Sequence, residues 1–432
     1  MSEDISEVKQ PQTINEEKQP KTVKNNAKTD ETLTTTLEAV LTVCNTIQGL
    51  PILIIPYVFK IGGWWALLAL LIIASFSSYT SIILVRSLYE VKNGVKLRVR
   101  QNYLDIGDAF WKGGGRMLVF VAMVIQLIFV STMYPFIVGA MFNKSFPEAN
   151  IPLWAWTLIG GLAFLPNSLL KDLSQVAWTG VVAMGCASII FICLFVYCLM
   201  HFHKWDIDKM HNYQSLDFPN AIGILVACFF SQPFAPFIES TMKRPERFES
   251  AVKLSYFVMT SVIVFIGVVS HITFYPNSDN LLTNNLPSGI FRQTLNSIAA
   301  VLAFTSYTLP MFMLFEVVEK SHLTLSSIKK DSSSIYSFQT QVTRLTILFS
   351  TVIMAAFIPW FIYLLAFVGS FTGISLEFIF PALFHMKIYC AELKHIEFAI
   401  DVIIVFFGVL TMTISFIVSW VSLYACFTED VC

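Results

Sequence analysis

The sequence predicts an all-α polytopic membrane protein, two five-helix repeats of opposite orientation plus an eleventh transmembrane helix. Three observations carry this. The 432 residues are 55% hydrophobic and 13% charged, with a mean hydropathy of +0.66. A soluble domain carries roughly 25% charged residues, so this chain lacks the charge to coat a globule in water. Apolar stretches of membrane-spanning length follow one another from residue 34 onward, and the first and sixth are each interrupted by prolines.

The chain opens on a polar segment, residues 1–33, with five Lys and seven Asp or Glu and almost nothing apolar. Such a segment buries too little surface to fold and has no signal-peptide pattern, so a disordered cytoplasmic tail is expected. Crossing a hydrocarbon layer of ~30 Å takes about 20 residues as a helix. Eleven stretches qualify: 34–58, 63–89, 117–142, 153–170, 176–202, 218–241, 251–275, 290–319, 343–365, 367–389 and 396–427. They make one transporter domain, 34–427, followed by a short C-terminus, 428–432.

Cytoplasmic loops hold an excess of Lys and Arg. With the N-terminus inside, 23 of the 28 basic residues fall on the inner side and five on the outer. An odd number of spans then places residues 428–432 on the lumenal or extracellular face, together with the single glycosylation sequon at Asn143, whose use the sequence does not decide.

Composition also excludes functions. A formal charge of -1 exerts no pull on nucleic acid. The eight Cys show no metal-ligand or redox spacing and read as buried thiols, so no metal is expected. No nucleophile, base and orienting group stand at motif spacing, which argues against an enzyme, and no polar stripe or filter sequence suggests a channel.

The two interrupted spans read CNTIQGLPILIIPY, with Gly49, Pro51 and Pro56, and ACFFSQPFAPFIES, with Pro233 and Pro236. Backbone opens inside a membrane only where protein or water satisfies it. Broken helices at matching positions, five spans apart, point to a transporter built from an inverted repeat, with its site at the midplane between the breaks. Half-helix ends offer N–H groups to a carboxylate and carbonyls to an ammonium, which suits a small zwitterionic amino acid. The candidate substrate-binding residues are Asn45, Thr46, Gln48, Gly49, Ser231 and Gln232. The alternative reading is that the prolines only bend the helices and the polar side chains only bond to neighbours.

The stretches NTIQGLPILIIPYVFKIGG, SQPFAPFIESTMKRPERF, SYTLPMFMLFEVVEKS and VGSFTGISLEFIFPALFH, with others between them in order and spacing, resemble the amino acid/auxin permease family over about residues 38–410. The resemblance implies a LeuT-like fold with an eleventh helix. It also implies secondary active transport of GABA and glycine into synaptic vesicles in exchange for protons, with no cofactor other than the proton gradient; the sequence leaves open whether chloride takes part. A plasma-membrane proton- or sodium-coupled symporter would share every span and break, and an amino-acid-sensing receptor could share the fold. The order of preference among substrates, the stoichiometry and the oligomeric state are not legible. Two departures stand out: Pro233 and Pro236 in the sixth span, and Glu377 where the family pattern has a small neutral residue.

Proton coupling needs a group charged in one state and neutral in another, and an acid within the membrane costs about 2.5–3.5 kcal/mol to insert. The candidates for coupling or gating are Glu239, Glu316 and Glu377. Glu377 lies mid-span with no basic residue expected at its depth, whereas Glu239 and Glu316 lie nearer the inner end, beside Lys243, Arg244 and Lys320. Glu38 reads as a helix N-terminal acid, Asp401 as structural, and His271 as an interfacial polar group.

Overall fold

The computed structural model describes residues 33–48, 53–92, 94–169, 173–205, 218–275, 279, 281–325, 333–358 and 361–429. The expected tail lies outside the described residues except for Leu33.

The first span starts with a capping box. Thr35 N–H donates to Glu38 Oε2 (2.7 Å) and Glu38 N–H to Thr35 Oγ1 (3.3 Å), which fixes the entry of α1 (Thr36–Gln48). The helix stops there, and α2 (Ile55–Arg86) begins with Pro56 in its first turn, where a missing N–H costs nothing. Gly63 divides α2: φ +55° and ψ −147° is a conformation open to little besides glycine. Residues 55–62 are thus the second half of span one, and the rest of α2 is span two.

Between spans two and three the chain folds a hairpin of β1 (Tyr89–Lys92) and β2 (Val95–Arg98) and a short helix, α3 (Tyr103–Phe110). Lys92 pairs with Val95, and Gly94 before Val95 stands at φ +76°. Asn-Gly is the dipeptide that such hairpin turns favour.

Next come α4 (Gly115–Ser145), α5 (Leu153–Leu162) and α6 (Leu173–Met200). Span four is shorter as α-helix than its apolar run: α5 ends at Leu162 and the chain continues as a 3-10 turn over Leu165–Leu169, around Pro166. The sixth span is broken as expected, into α7 (Phe218–Phe229) and α8 (Ala235–Thr241), and Pro236 sits in the first turn of α8 as Pro56 does in α2.

The remainder is α9 (Phe248–Phe274), α10 (Ile290–Leu325), α11 (Ser333–Phe357), α12 (Phe361–Val368), α13 (Phe380–Ile388) and α14 (His395–Glu429). The expected junction between spans nine and ten at 365/367 is misplaced: α11 ends at Phe357 and α12 starts at Phe361. Pro359 lies between them, and a proline disfavours helix in the residue before it while donating no N–H. Span ten joins α12 to α13 through two π-helical turns, Gly369–Gly373 and Ser375–Ile379.

Among the described residues, eight helices are long and apolar enough to cross a membrane, and three shorter apolar ones complete the eleven spans. Burial sorts them into layers. The spanning segments of α10 and of span ten are 72% buried, whereas those of α11 and α14 are 22% and 28% buried and expose rings such as Phe406 and Trp420. The inner layer holds α1, α2, α4, α7, α8 and α10, with α9 packed along α1 and α2.

The ends of the two broken spans are tied together. Thr34 N–H donates to the Thr241 carbonyl (2.7 Å) and Lys243 N–H to the Thr34 carbonyl (2.9 Å), linking the entry of α1 to the exit of α8.

Candidate functional site

A small central cavity of about 30 Å³ is lined from α1 by Asn45 and Thr46, from α4 by Tyr134, from the sixth-span break by Phe230 and Phe234, and from α10 by Ser306, with apolar neighbours. A single water needs roughly 10–15 Å³ of such space, and a ligand site roughly 300–1,000 Å³. The cavity is therefore too small for an amino acid as it stands.

The described lining includes no Asp, Glu, Lys, Arg or His. Its polar groups are neutral and engaged with one another: Ser306 Oγ donates to Asn45 Oδ1 (3.3 Å), and Thr46 Oγ1 to the Val43 carbonyl (2.6 Å). Tyr134 stacks edge-on with Tyr307, whose hydroxyl reaches Thr351. Ser306 was beyond hydropathy, which marks α10 only as a span; its signal is that a small polar residue stands one turn before Pro310 in SYTLP.

Of the residues singled out from sequence, Asn45 and Thr46 line this cavity. Gln48 closes α1, its side chain outside the description, and Gly49 lies outside the described residues. Ser231 and Gln232 sit in the sixth-span break but point away from the cavity. Gln232 is fully buried, donating Nε2–H to Thr80 Oγ1 (3.0 Å) and the Ser77 carbonyl (3.3 Å) of α2, while its Oε1 accepts Ser231 N–H (3.1 Å). Ser231 Oγ bonds Tyr256 of α9 (2.6 Å) and Ser81 of α2 (3.2 Å). These side chains brace the opened backbone, as buried polar groups must be satisfied.

Glu377 joins the same network. It is fully buried in the second π-turn, and its Oε1 accepts the hydroxyl of Ser77 while Oε2 has no hydrogen-bond partner among the described residues. No ion pair to it is formed among them. Through Ser77, the acid of span ten thus shares a helix turn with the groups that hold the break of span six. The first π-turn is anchored likewise, by Thr372 Oγ1 donating to Gln126 Oε1 of α4 (2.6 Å).

Glu239 has a different partner from the Lys243 and Arg244 expected of its neighbours in sequence. Arg98, at the end of the hairpin, pairs with Glu239 Oε2 (2.7 Å) and donates to the Pro236 carbonyl (3.1 Å), and Tyr89 donates to Glu239 Oε1. Glu239 is 1% exposed, so the hairpin clamps α8 through a buried pair. Glu316 lies half-buried on α10, a turn from Glu319, which Arg344 of α11 grips through Nε (2.7 Å) and Nη2 (3.2 Å). Glu38 caps α1 as expected. His271 is buried beside Phe59 and Tyr275.

The family model for transmembrane amino acid transporter proteins matches residues 32–421. The chain belongs to the transmembrane amino acid transporter family. It is 31% identical over 410 residues to the vesicular inhibitory amino acid transporter of Xenopus tropicalis, covering 92% of this chain and 79% of that one. The human vesicular inhibitory amino acid transporter is 30% identical over 392 residues (88% and 74% covered), and the vesicular GABA transporter of Caenorhabditis elegans 29% over 379 (86% and 76%). In fold the carrier resembles a Na+-coupled sialic acid symporter solved in a substrate-bound outward-open state, with a TM-score of 0.56, 12% identity, and 90% and 89% of the two chains covered. Its architecture is LeuT-like, and the central cavity is lined from both broken spans.

Proposed function

We propose that this carrier moves small neutral amino acids, GABA and glycine, from the cytosol into the lumen of a vesicle in exchange for protons. The observation that carries the reading is a cavity between the broken spans whose described lining has a few neutral polar groups among apolar ones and no charged side chain. A zwitterion needs a donor end and an acceptor end, not a protein charge, and half-helix termini provide both at fixed positions. Asn45, Thr46 and Ser306 bind it, joined by the backbone around Gly49 and by Gln48, while Ser231 and Gln232 hold the opposite break in shape. The names of the relatives support the substrate class.

Glu377 carries the exchanged proton, because it is a buried acid with no Lys, Arg or His beside it among the described residues and its hydroxyl contact leads to the sixth-span break. The pair Arg98–Glu239 closes the inner side. With the N-terminus cytosolic, the basic hairpin face is the cytosolic one, and rocking of the broken spans against the rest opens the cavity to each side in turn. A proton leaving a lumen-positive vesicle gains about 2.3 kcal/mol per 100 mV, plus its pH term.

The test is uptake of labelled GABA and glycine into liposomes holding the purified carrier, under an inside-acid, inside-positive gradient and with the gradient collapsed. Accumulation only with the gradient is expected. Uptake that instead requires protons or sodium on the substrate side makes the protein a symporter, and no uptake by folded protein favours a receptor. Glu377→Gln is expected to lose gradient-driven accumulation while retaining exchange of labelled for unlabelled substrate; a variant that still accumulates removes Glu377 from the coupling.

A further inference from the structure

A second cavity, about 690 Å³, lies at the hairpin face among the ends of α2, α8 and α13 and the starts of α9 and α14. One residue of its wall is out of character with a surface groove. His385, on α13, lines it yet is only 3% exposed, and its Nδ1 stands 2.7 Å from Oδ2 of Asp401 on α14, which is fully buried. Tyr79 of α2 donates to the other oxygen, Oδ1 (3.1 Å). A carboxylate only accepts, so Nδ1 carries the proton of the neutral ring, and Nε2 presents a lone pair. Nε2 has no hydrogen-bond partner among the described residues. Three spans thus meet on one buried ionisable cluster, and one of its side chains, His385, lines the 690 Å³ cavity.

We propose that His385, backed by Asp401 and Tyr79, is a proton-binding site filled from the hairpin-face cavity and separate from the central substrate site. A proton from cavity water adds to Nε2, giving an imidazolium that keeps its Nδ1–H bond to Asp401, so the buried carboxylate gains a counter-charge without any heavy atom moving. No bond other than N–H forms. The groups facing the cavity from each packed element set its field: Arg86 from α2, Tyr89 and Lys96 from the hairpin, Glu239 from α8, Glu246 and Glu249 from the turn into α9. Tyr389 and Glu392 after α13, and Glu397 from α14, complete it. Arg86 is shared by Glu249 (2.9 Å) and Glu397 (3.7 Å), Lys253 also holds Glu249 (2.8 Å), and Arg98 holds Glu239; the five lining carboxylates still outnumber these cations and draw positive charge toward the imidazole. α3 adds apolar surface, the Phe110 ring packing on Phe384.

The cluster also touches the transport machinery. Tyr79 stands two residues from Ser77, the partner of Glu377, and one from Thr80, the partner of Gln232. Charging His385 therefore changes what holds α2, α13 and α14 together where α2 also holds the break of span six. The inference needs the chain to be a carrier but not that protons are exchanged for substrate.

Two measurements on the full-length protein test it. In the first, ¹⁵N-histidine spectra of the purified carrier are recorded against pH, the His385 signal being the one lost in His385→Gln. Acidification is expected to add the Nε2 proton to that signal, and Asp401→Asn to change the response. A His385 signal that does not titrate, or that ignores Asp401→Asn, overturns the site. In the second, exchange of labelled for unlabelled glycine in liposomes is followed with equal pH on both sides. Wild type is expected to change rate across the His385 titration, His385→Gln to lose that dependence, and the exposed Lys387→Gln to keep it. A wild-type pH profile in folded His385→Gln overturns the coupling to transport. Absence of any exchange by wild type counts against the amino-acid reading, while the spectra still decide whether the proton site exists.

Discussion

The central cavity and the hairpin-face cavity are built on opposite rules. The first is about 30 Å³ and lined by apolar and neutral polar side chains; the second is about 690 Å³ and walled by charged residues, five carboxylates against two cations. The difference teaches where a carrier keeps charge. A charged side chain at the midplane would have to be desolvated whenever the site closed empty, so the site relies on backbone ends that are already ordered. Ion-paired charge is concentrated at the hairpin face instead.

The largest stability effect comes from the buried Arg98–Glu239 pair. Arg98→Ala strands the Glu239 carboxylate, which is 1% exposed, and breaking such a pair costs about 3–5 kcal/mol. Thermal unfolding in detergent should show a large fall in midpoint for this variant, and adding Glu239→Gln should restore part of it, because the stranded charge is removed as well. A double variant no better than Arg98→Ala would mean that the arginine acts through its bonds to the Pro236 and Gln101 carbonyls and not through the acid.

A smaller effect isolates the scaffold from both cavities. Gly63 ends the second half of span one at φ +55° and ψ −147°, and nothing lies within 4 Å of where a Cβ would sit. Gly63→Ala therefore costs only backbone strain, about 1–3 kcal/mol. Gly63→Asn should be no better, since asparagine tolerates left-handed helix but not this ψ. Both variants should melt lower while the KM for glycine stays at its wild-type value; a changed KM would show that the turn positions the first break.

How much of this was legible beforehand follows from what each feature depends on. Span number and the two breaks depend on local facts, hydrocarbon thickness and proline chemistry, and both were read correctly from composition along the chain. The junction after span nine was set too late because the apolar run continues through Pro359 and hydropathy is blind to a missing N–H. Partnerships were hidden for a different reason. Arg98 and Glu239 are 141 residues apart and Ser306 and Asn45 261 apart, so local sequence proposes the wrong cation for the first and no partner for the second. The π-turns that bury Glu377 leave no periodic trace over ten residues, and Asp401, read as structural, becomes a functional candidate only once His385 and Tyr79 are seen around it.

The finest test sets two neighbouring hydroxyls on α10 against each other. Ser306 lines the central cavity and donates to Asn45; Thr308, two residues on, does not line it, and donates to Asn167 Oδ1 (2.8 Å). Each substitution removes one hydrogen bond worth about 0.5–1.5 kcal/mol, but in different places. In Ser306→Ala the loss should fall on substrate binding, raising KM for glycine roughly two- to tenfold with little change in melting, because the cavity has room for water to replace the hydroxyl. In Thr308→Val it should fall on folding, since Asn167 is 4% exposed and loses its donor where water does not reach, so melting drops and KM holds. The reverse pattern would move the substrate to the other face of α10, and with it the distinction between a neutral centre and a charged rim.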